Sequence, residues 1–123
     1  MARREVELTD DGRWIVVDGR RWRRQDPELP QQVEARLKSH LGRARSAVRT
    51  VRRSGTEAEL RAVRDRVQLA KTGLGERGTP WWEQTPEQRR ARWTDALERL
   101  DAAAPPGDAG GPAAAVLRMP DAD

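Results

Sequence analysis

The fold is decided in the middle of the chain, in the run VRTVRRSGTEAELRAV at residues 48–63. Ser54 and Gly55 interrupt a helical pattern there, and Thr56 is a good N-cap for a second helix. Apolar residues recur at alternating intervals of three and four on both sides of the break, as in a coiled-coil seam. The two seams are Leu37, Leu41, Ala44, Val48 and Val51, then Leu60, Val63, Val67, Ala70 and Leu74. This pattern predicts an antiparallel helical hairpin, with helices at residues 30–53 and 57–73.

The segment before the hairpin, residues 5–24, has the pattern of a three-stranded antiparallel meander. Asp-Gly pairs at 11–12 and 18–19 are signals for two-residue type I′ turns. Both turns predict a register that places one apolar set on a single face, because side chains alternate along a strand. This set is Val6, Leu8, Ile15, Val17 and Trp22. A lone three-stranded sheet needs a cover, so we expect this face to pack on the helices.

Downstream of the hairpin, a capping-box pattern predicts a third helix. Thr85 is its N-cap, and Pro86 suits its first position. We expect the helix at residues 86–101. Residues 102–123 are rich in Ala, Pro, Gly and Asp, and we predict that they form a disordered tail. The fold class is therefore α+β, with the meander, the hairpin and the third helix in one small domain at residues 1–101.

Composition argues against catalysis. The chain has no cysteine, which removes disulfides, thiol chemistry and cysteine-based metal sites. Its one histidine, His40, is best explained as a satisfied interface residue, since no nucleophile or second acid–base group can be nominated beside it. Few large apolar residues remain to line a pocket once the sheet and helices are built. We predict no enzyme activity, no catalytic, cofactor-binding or metal-binding residues, and no cofactor.

No apolar run is long enough for a signal peptide or a membrane-spanning helix. The longest run is Trp14-Ile15-Val16-Val17, far short of the about 20 residues that a spanning helix needs. We therefore predict a cytoplasmic location and no contact with a membrane.

The formal net charge of +4 is unevenly distributed. Residues 35–56 contain seven basic residues and no acidic one, and six of the seven fall on two flanks of the first seam. One flank carries Arg36 and Arg43. The other carries the candidate nucleic-acid contacts Lys38, Arg45, Arg49 and Arg52. The alternative is a solvated hairpin whose first helix pairs with acids of the second, and a genomic coding bias that favours arginine would also raise this count.

Three apolar residues are candidate contacts for a protein partner. Leu69 lies off the seam of the second helix, and Trp81 and Trp82 lie in a connection bounded by glycine and proline. Exposed tryptophans are common interface hot spots, although the pair could equally be anchors that pin the connection. The sequence favours a non-enzymatic interaction module that binds a protein partner or a second copy of itself. Nucleic-acid binding is the alternative.

Several motifs resemble those of small bacterial proteins labelled "biopolymer transporter Tol". The resemblance covers residues 14–82, and its motifs are DGRRWR at 18–23, DPELP at 26–30, RARSAV at 43–48 and LGERGTPWW at 74–82. Some relatives carry a C-terminal domain of winged-helix type, whereas this chain has one helix and a tail at that position. The resemblance implies membership of a family and brings no established activity, ligand or site residues with it.

Overall fold

The computed structural model of the protein describes residues 6–105 and has the predicted α+β architecture. A three-stranded antiparallel sheet precedes three helices, with a short 3₁₀ turn before the last one. The elements are β1 (Val6–Leu8), β2 (Trp14–Val17), β3 (Arg20–Arg23), α1 (Gln31–Ser54), α2 (Glu57–Leu74), the 3₁₀ turn (Trp81–Glu83) and α3 (Pro86–Ala103). Helix α3 therefore runs two residues past its predicted end. The rest of the predicted tail, from residue 106 onward, lies outside the described residues.

The strands follow the order β1-β2-β3 with the predicted register. Val6 pairs with Val17 and Leu8 with Ile15 in the first ladder, and Ile15 pairs with Trp22 in the second. These residues share one face because side chains alternate along each strand.

The two turns of the sheet differ from each other. Asp18 and Gly19 have φ values of 53° and 77°, as a type I′ turn requires. The same prediction for the first turn is wrong, because only Gly12 has a positive φ there, 72°. Its N–H donates to the carbonyl oxygen of Thr9 at 2.8 Å, while the Asp11 carboxylate accepts from the Thr9 hydroxyl at 2.7 Å. This side-chain bond stabilises a wider loop that keeps the same register.

The apolar face of the sheet does not pack on the helices, contrary to the prediction. Val17 of this face is buried, but Val6 and Leu8 are 49% and 51% exposed, and the helical core contains no residue of the sheet. The sheet turns its opposite face towards the connection between α2 and α3, where the Trp14 and Trp82 ring centroids lie 5.7 Å apart. The apolar seams of the helices are already filled by one another, so the sheet is held by aromatic contacts and by Arg23, whose Nη1 donates to the carbonyl oxygen of Gly78 at 2.8 Å.

The core lies between the three helices and combines both hairpin seams with the apolar stripe of α3. Trp93 is buried in it. Helix α2 comes very close to its neighbours at Gly73, where an added Cβ would lie 2.8 Å from the Ala96 Cβ and 2.8 Å from a Leu37 methyl group. Glycine at this position therefore allows the three helices to meet.

Capping boxes begin both α2 and α3. The Thr56 hydroxyl accepts from the backbone N–H of Glu59, and the Thr85 hydroxyl accepts from that of Gln88. In each case the partner side chain accepts in return from the N-cap backbone. The predicted starts of both helices are thus confirmed.

Candidate nucleic-acid interface

Helix α3 covers one side of the hairpin. Arg36 forms an ion pair with Asp101 of α3. Arg43 donates to the carbonyl oxygens of Ala104, at 3.4 Å, and Pro105, at 3.2 Å, where the helix dipole of α3 has its negative end. The α1 flank that carries Arg36 and Arg43 is therefore occupied by contacts with α3 and the residues just after it.

The other flank of the hairpin faces away from α3. At about 100° per residue, the predicted stripe on α1 projects from the same side of the antiparallel pair as two arginines of α2. We call this side the basic face. Its members are Lys38, Arg45, Arg49 and Arg52 of α1, with Arg61 and Arg64 of α2.

The end of the basic face nearest the sheet is neutralised by acids of the protein itself. Lys38 donates to a carboxylate oxygen of Glu34 at 2.7 Å, which holds the pKa of Glu34 below its usual value. Burial raises the pKa of Glu76, against the opposing charges of Lys71, Arg45 and Lys38. Lys38 and Arg45 thus face carboxyl groups within the chain.

The far end of the hairpin extends beyond α3. Because Arg43 contacts the last residues of α3, the remainder of α1 continues for about 15 Å past the end of that helix. We call residues 45–66 the distal arm. It holds seven arginines and three acidic residues, a net charge of +4, although Arg45 at its start also faces Glu76. One of the acids, Glu59, is held in the capping box of α2.

Four members of the basic face lie on the distal arm with their side chains in solvent. They are Arg49, Arg52, Arg61 and Arg64, which we call the distal arginines. Within residues 6–105 none of them forms a hydrogen bond or an ion pair. Their guanidinium groups are therefore available to an external anion.

Sequence reasoning found Arg49 and Arg52 but missed Arg61 and Arg64. A signal for them existed, because corresponding flanks of two antiparallel helices face the same side of a hairpin. The sequence did not show which side α3 would cover, and that choice decides which arginines stay exposed.

His40 is buried beneath α3, with both ring nitrogens engaged. Its Nε2 lies 2.7 Å from an oxygen of Asp101, and its Nδ1 lies 3.0 Å from Nη2 of Arg43. Arginine can only donate, so Nδ1 accepts and the proton is assigned to Nε2 of a neutral ring. Burial lowers the pKa of His40, and the charge of Arg43 adds to this effect, against the hydrogen bond to Asp101. This geometry matches the predicted role of a satisfied interface residue.

Two of the candidate partner contacts pack within the molecule. Trp81 is buried, and its indole N–H donates to the carbonyl oxygen of Arg24 at 2.8 Å. Leu69 is half-buried against the helical core. Both side chains contribute to the packing of the helices and of the connection.

Trp82, the third candidate, is half-buried in a cluster that joins the sheet to the helices. Its ring centroid lies 5.1 Å from that of Trp81 and 5.7 Å from that of Trp14. The guanidinium carbons of Arg13 and Arg23 lie 4.9 Å and 5.8 Å from the same centroid. Much of its ring surface is therefore already in contact with the protein's own side chains.

A cleft of about 280 Å³ opens at the sheet end of the basic face. It is lined by Arg24, Gln25, Pro27, Lys38, Leu41, Leu74 and Glu76. In the part of the chain that the structure describes, no group of three or more His, Cys, Asp or Glu side chains could hold a metal ion. No described helix is both long and apolar enough to cross a membrane.

Comparison with known proteins gives no match, since no family model, curated protein or solved structure matches the chain. The resemblance to the Tol-labelled family therefore stays a prediction from the motifs at residues 14–82. Function has to be inferred from the site itself.

Proposed function

We propose that this protein is a non-enzymatic binding module that holds the phosphate backbone of a nucleic acid on its basic face, in the cytoplasm. The observation that carries the proposal is the set of distal arginines, four exposed guanidinium groups on one side of the hairpin without an ion-pair partner in residues 6–105. Guanidinium groups bind phosphate oxygens through charge-assisted and often bidentate hydrogen bonds.

The chemistry of the distal arm favours a phosphate backbone over a protein surface. Protein interfaces generally have aromatic or aliphatic anchors at their centre. The large apolar residues of the arm face the hairpin seam, and the exposed large apolar residues of the described chain, Val6 and Leu8, lie on the sheet. The solvent-facing side of the arm thus offers charge without an apolar anchor, as expected for contact with a regular polyanion.

Charge reversal on the basic face tests the proposal. The double variant Arg49→Glu with Arg52→Glu removes two phosphate contacts and adds two repulsive charges. We expect it to bind a fluorescent DNA duplex at least about tenfold more weakly than the unmodified chain in about 50 mM salt, by anisotropy. The matched control is Arg90→Glu with Arg99→Glu, which changes the net charge equally on α3, and we expect a loss of about threefold or less.

Circular dichroism of both variants establishes that the helices are retained. Equal losses in the two double variants would show that net charge alone drives binding and would overturn the assignment to the basic face. If the unmodified chain binds neither the duplex nor a single strand at this salt concentration, the proposed function is wrong.

Self-association is a second candidate, favoured by a different observation. Among the described residues β1 is an edge strand, and its apolar residues Val6 and Leu8 are half exposed. An open strand edge of this kind can pair with the same edge of a second copy. Sedimentation at increasing concentration should then detect a dimer that Leu8→Lys abolishes. Glu7→Lys, on the other face of the same strand, should leave it intact, and a monomer at all concentrations would eliminate this candidate.

A further inference from the structure

We infer that the nucleic acid held by the basic face is a duplex, bound through the phosphates of both strands without readout of its sequence. This inference rests on the proposed function and specifies the form of its ligand. It follows from the width of the basic face, from the side chains of the distal arm and from the surroundings of the tryptophans.

The width of the basic face excludes deep entry into a groove. The distal arginines are divided between two packed helices, Arg49 and Arg52 on α1 and Arg61 and Arg64 on α2. A single helix fits the major groove of B-form DNA, which is about 12 Å wide, but two helices side by side, with axes about 8–10 Å apart, are too wide. The two rows of guanidinium groups therefore meet phosphates on the rims of a groove rather than base edges on its floor.

The side chains of the distal arm lack the groups that read or stack bases. Residues 45–66 contain no asparagine, glutamine or aromatic residue. Asparagine and glutamine are the usual readers of adenine, and aromatic rings are the platforms on which single-stranded bases stack. Arginine alone can neutralise phosphates of any sequence, so the arm has the composition expected for backbone binding.

The tryptophans do not supply a stacking platform beside the arm. Trp93 is buried in the helical core, and Trp81 is buried in the connection between α2 and α3. Trp14, Trp22 and Trp82 lie on or against the sheet, and each carries an arginine guanidinium over its ring at 4.6–5.8 Å from the centroid. A single strand would thus find charge on the arm but no aromatic surface there.

The charge density of a duplex gives a quantitative expectation for the salt dependence of binding. A B-form duplex presents one phosphate per about 1.7 Å of its axis, so that two rows of arginines can contact two strands at once. Four contacts predict a slope of log K against log salt concentration near −3.6 for a duplex, and near −2.8 for a single strand.

The experiment compares nucleic acids by anisotropy with the complete chain. The probes are two DNA duplexes of about 20 base pairs with unrelated sequences, an RNA duplex of the same length, and a single-stranded thymidine oligomer of equal length. We expect the two DNA duplexes to bind within about threefold of each other, and the single strand at least about fivefold more weakly. The RNA duplex shows whether the form of the helix matters.

Single substitutions test whether both rows of arginines are used. Arg49→Glu and Arg61→Glu lie on different helices, and each should weaken duplex binding and reduce the salt slope by about 0.9, whereas Arg90→Glu on α3 should not change the slope. A preference of more than about tenfold for one DNA sequence, stronger binding of the single strand, or an unchanged slope in Arg61→Glu would overturn the inference while leaving the proposed function in place. Absence of binding to every probe would instead refute the proposed function.

Discussion

Asp26 is completely buried, and its carboxylate accepts a hydrogen bond from Nη2 of Arg92 at 2.7 Å. Asp26 lies in the linker between β3 and α1, whereas Arg92 lies on α3. The backbone N–H of Asp26 also donates to the carbonyl oxygen of Leu74 at 2.8 Å, and Nε of Arg92 donates to that of Gly73 at 3.2 Å. This ion pair therefore fastens the linker, the end of α2 and the start of α3 to one another.

Removal of the Asp26 carboxylate should destabilise the protein strongly. In Asp26→Ala the guanidinium of Arg92 stays in its buried site without its anionic partner, and we expect a loss of about 3–5 kcal/mol in the free energy of unfolding. Urea denaturation measures this loss. Asp95→Ala is the control, because Asp95 pairs with Arg99 in solvent and should cost no more than about 0.5 kcal/mol. Similar costs for the two variants would contradict the role of the buried pair.

Two helical glycines should respond in opposite ways to the same substitution. Gly73→Ala places a methyl group 2.8 Å from Ala96 and from Leu37, and we expect a loss of about 1–3 kcal/mol from overpacking. Gly42→Ala meets no atom within 4 Å on α1 and should stabilise the protein by about 0.5–1 kcal/mol through helix propensity. Thermal unfolding reports both signs. If Gly73→Ala is also stabilising, that result would contradict the close approach of α1 and α3 to α2 at Gly73.

The surroundings of His40 predict a pH dependence of stability. Its pKa is below the ordinary value of 6.5 in the folded chain, so the unfolded chain binds a proton first as the pH falls. The free energy of unfolding should therefore start to decrease near pH 6.5 and continue to decrease until native His40 is protonated. The pKa of Asp101 is lowered from 3.8, because His40 and Arg36 outweigh the effect of burial, and its contribution is lost only at more acidic pH.

Two measurements check this prediction. Since His40 is the only histidine, its NMR titration can be assigned directly and should give a value below 6.5. Urea denaturation between pH 8 and pH 5 should show a smaller slope for His40→Gln, which can still donate to Asp101. The opposing contribution of Glu76, whose pKa burial raises, is common to both proteins and cancels in this comparison. An NMR value above 6.5 would refute the assignment of a neutral ring.

Trp82 should control how firmly the sheet is attached. Trp82→Ala removes its contacts with Trp14 and with the guanidinium groups of Arg13 and Arg23. We expect the opening free energy of the sheet to fall by about 1–3 kcal/mol, since aromatic and cation–π contacts contribute about 0.5–1.5 kcal/mol each. Hydrogen exchange should then accelerate in residues 14–23 more than in the helices. Trp82→Phe retains an aromatic ring and should restore most of the protection; uniform acceleration in all elements would argue against a local attachment.

The features that the sequence predicted depend on neighbours along the chain. The hairpin follows from the seam spacing around Gly55, and the helix starts follow from the capping boxes at Thr56 and Thr85. The register of the sheet was predicted even though the first turn has a different geometry, because the loop is still centred on residues 11–12, and a slip of one residue would move the apolar set to the other face.

The features that the sequence did not predict depend on contacts between distant elements. Asp26 has the pattern of a turn residue, and only the arrival of α3 turns it into a buried ion-pair partner for Arg92. The alternation of the strands predicted attachment through the apolar face, whereas the sheet is attached through its opposite face, where Trp14 contacts Trp82.

The basic face depends on both neighbours along the chain and contacts between distant elements. The sequence by itself determined that α1 carries cations on both flanks of its seam, because a period of about 3.6 residues places Arg36 and Arg49 on different sides. Only the tertiary structure decided that α3 covers the flank of Arg36 and Arg43 and leaves Arg49 in solvent. The physical reason is that the orientation of a side chain is a local property of the helix, whereas its burial depends on where the packing free energy of a distant helix is lowest.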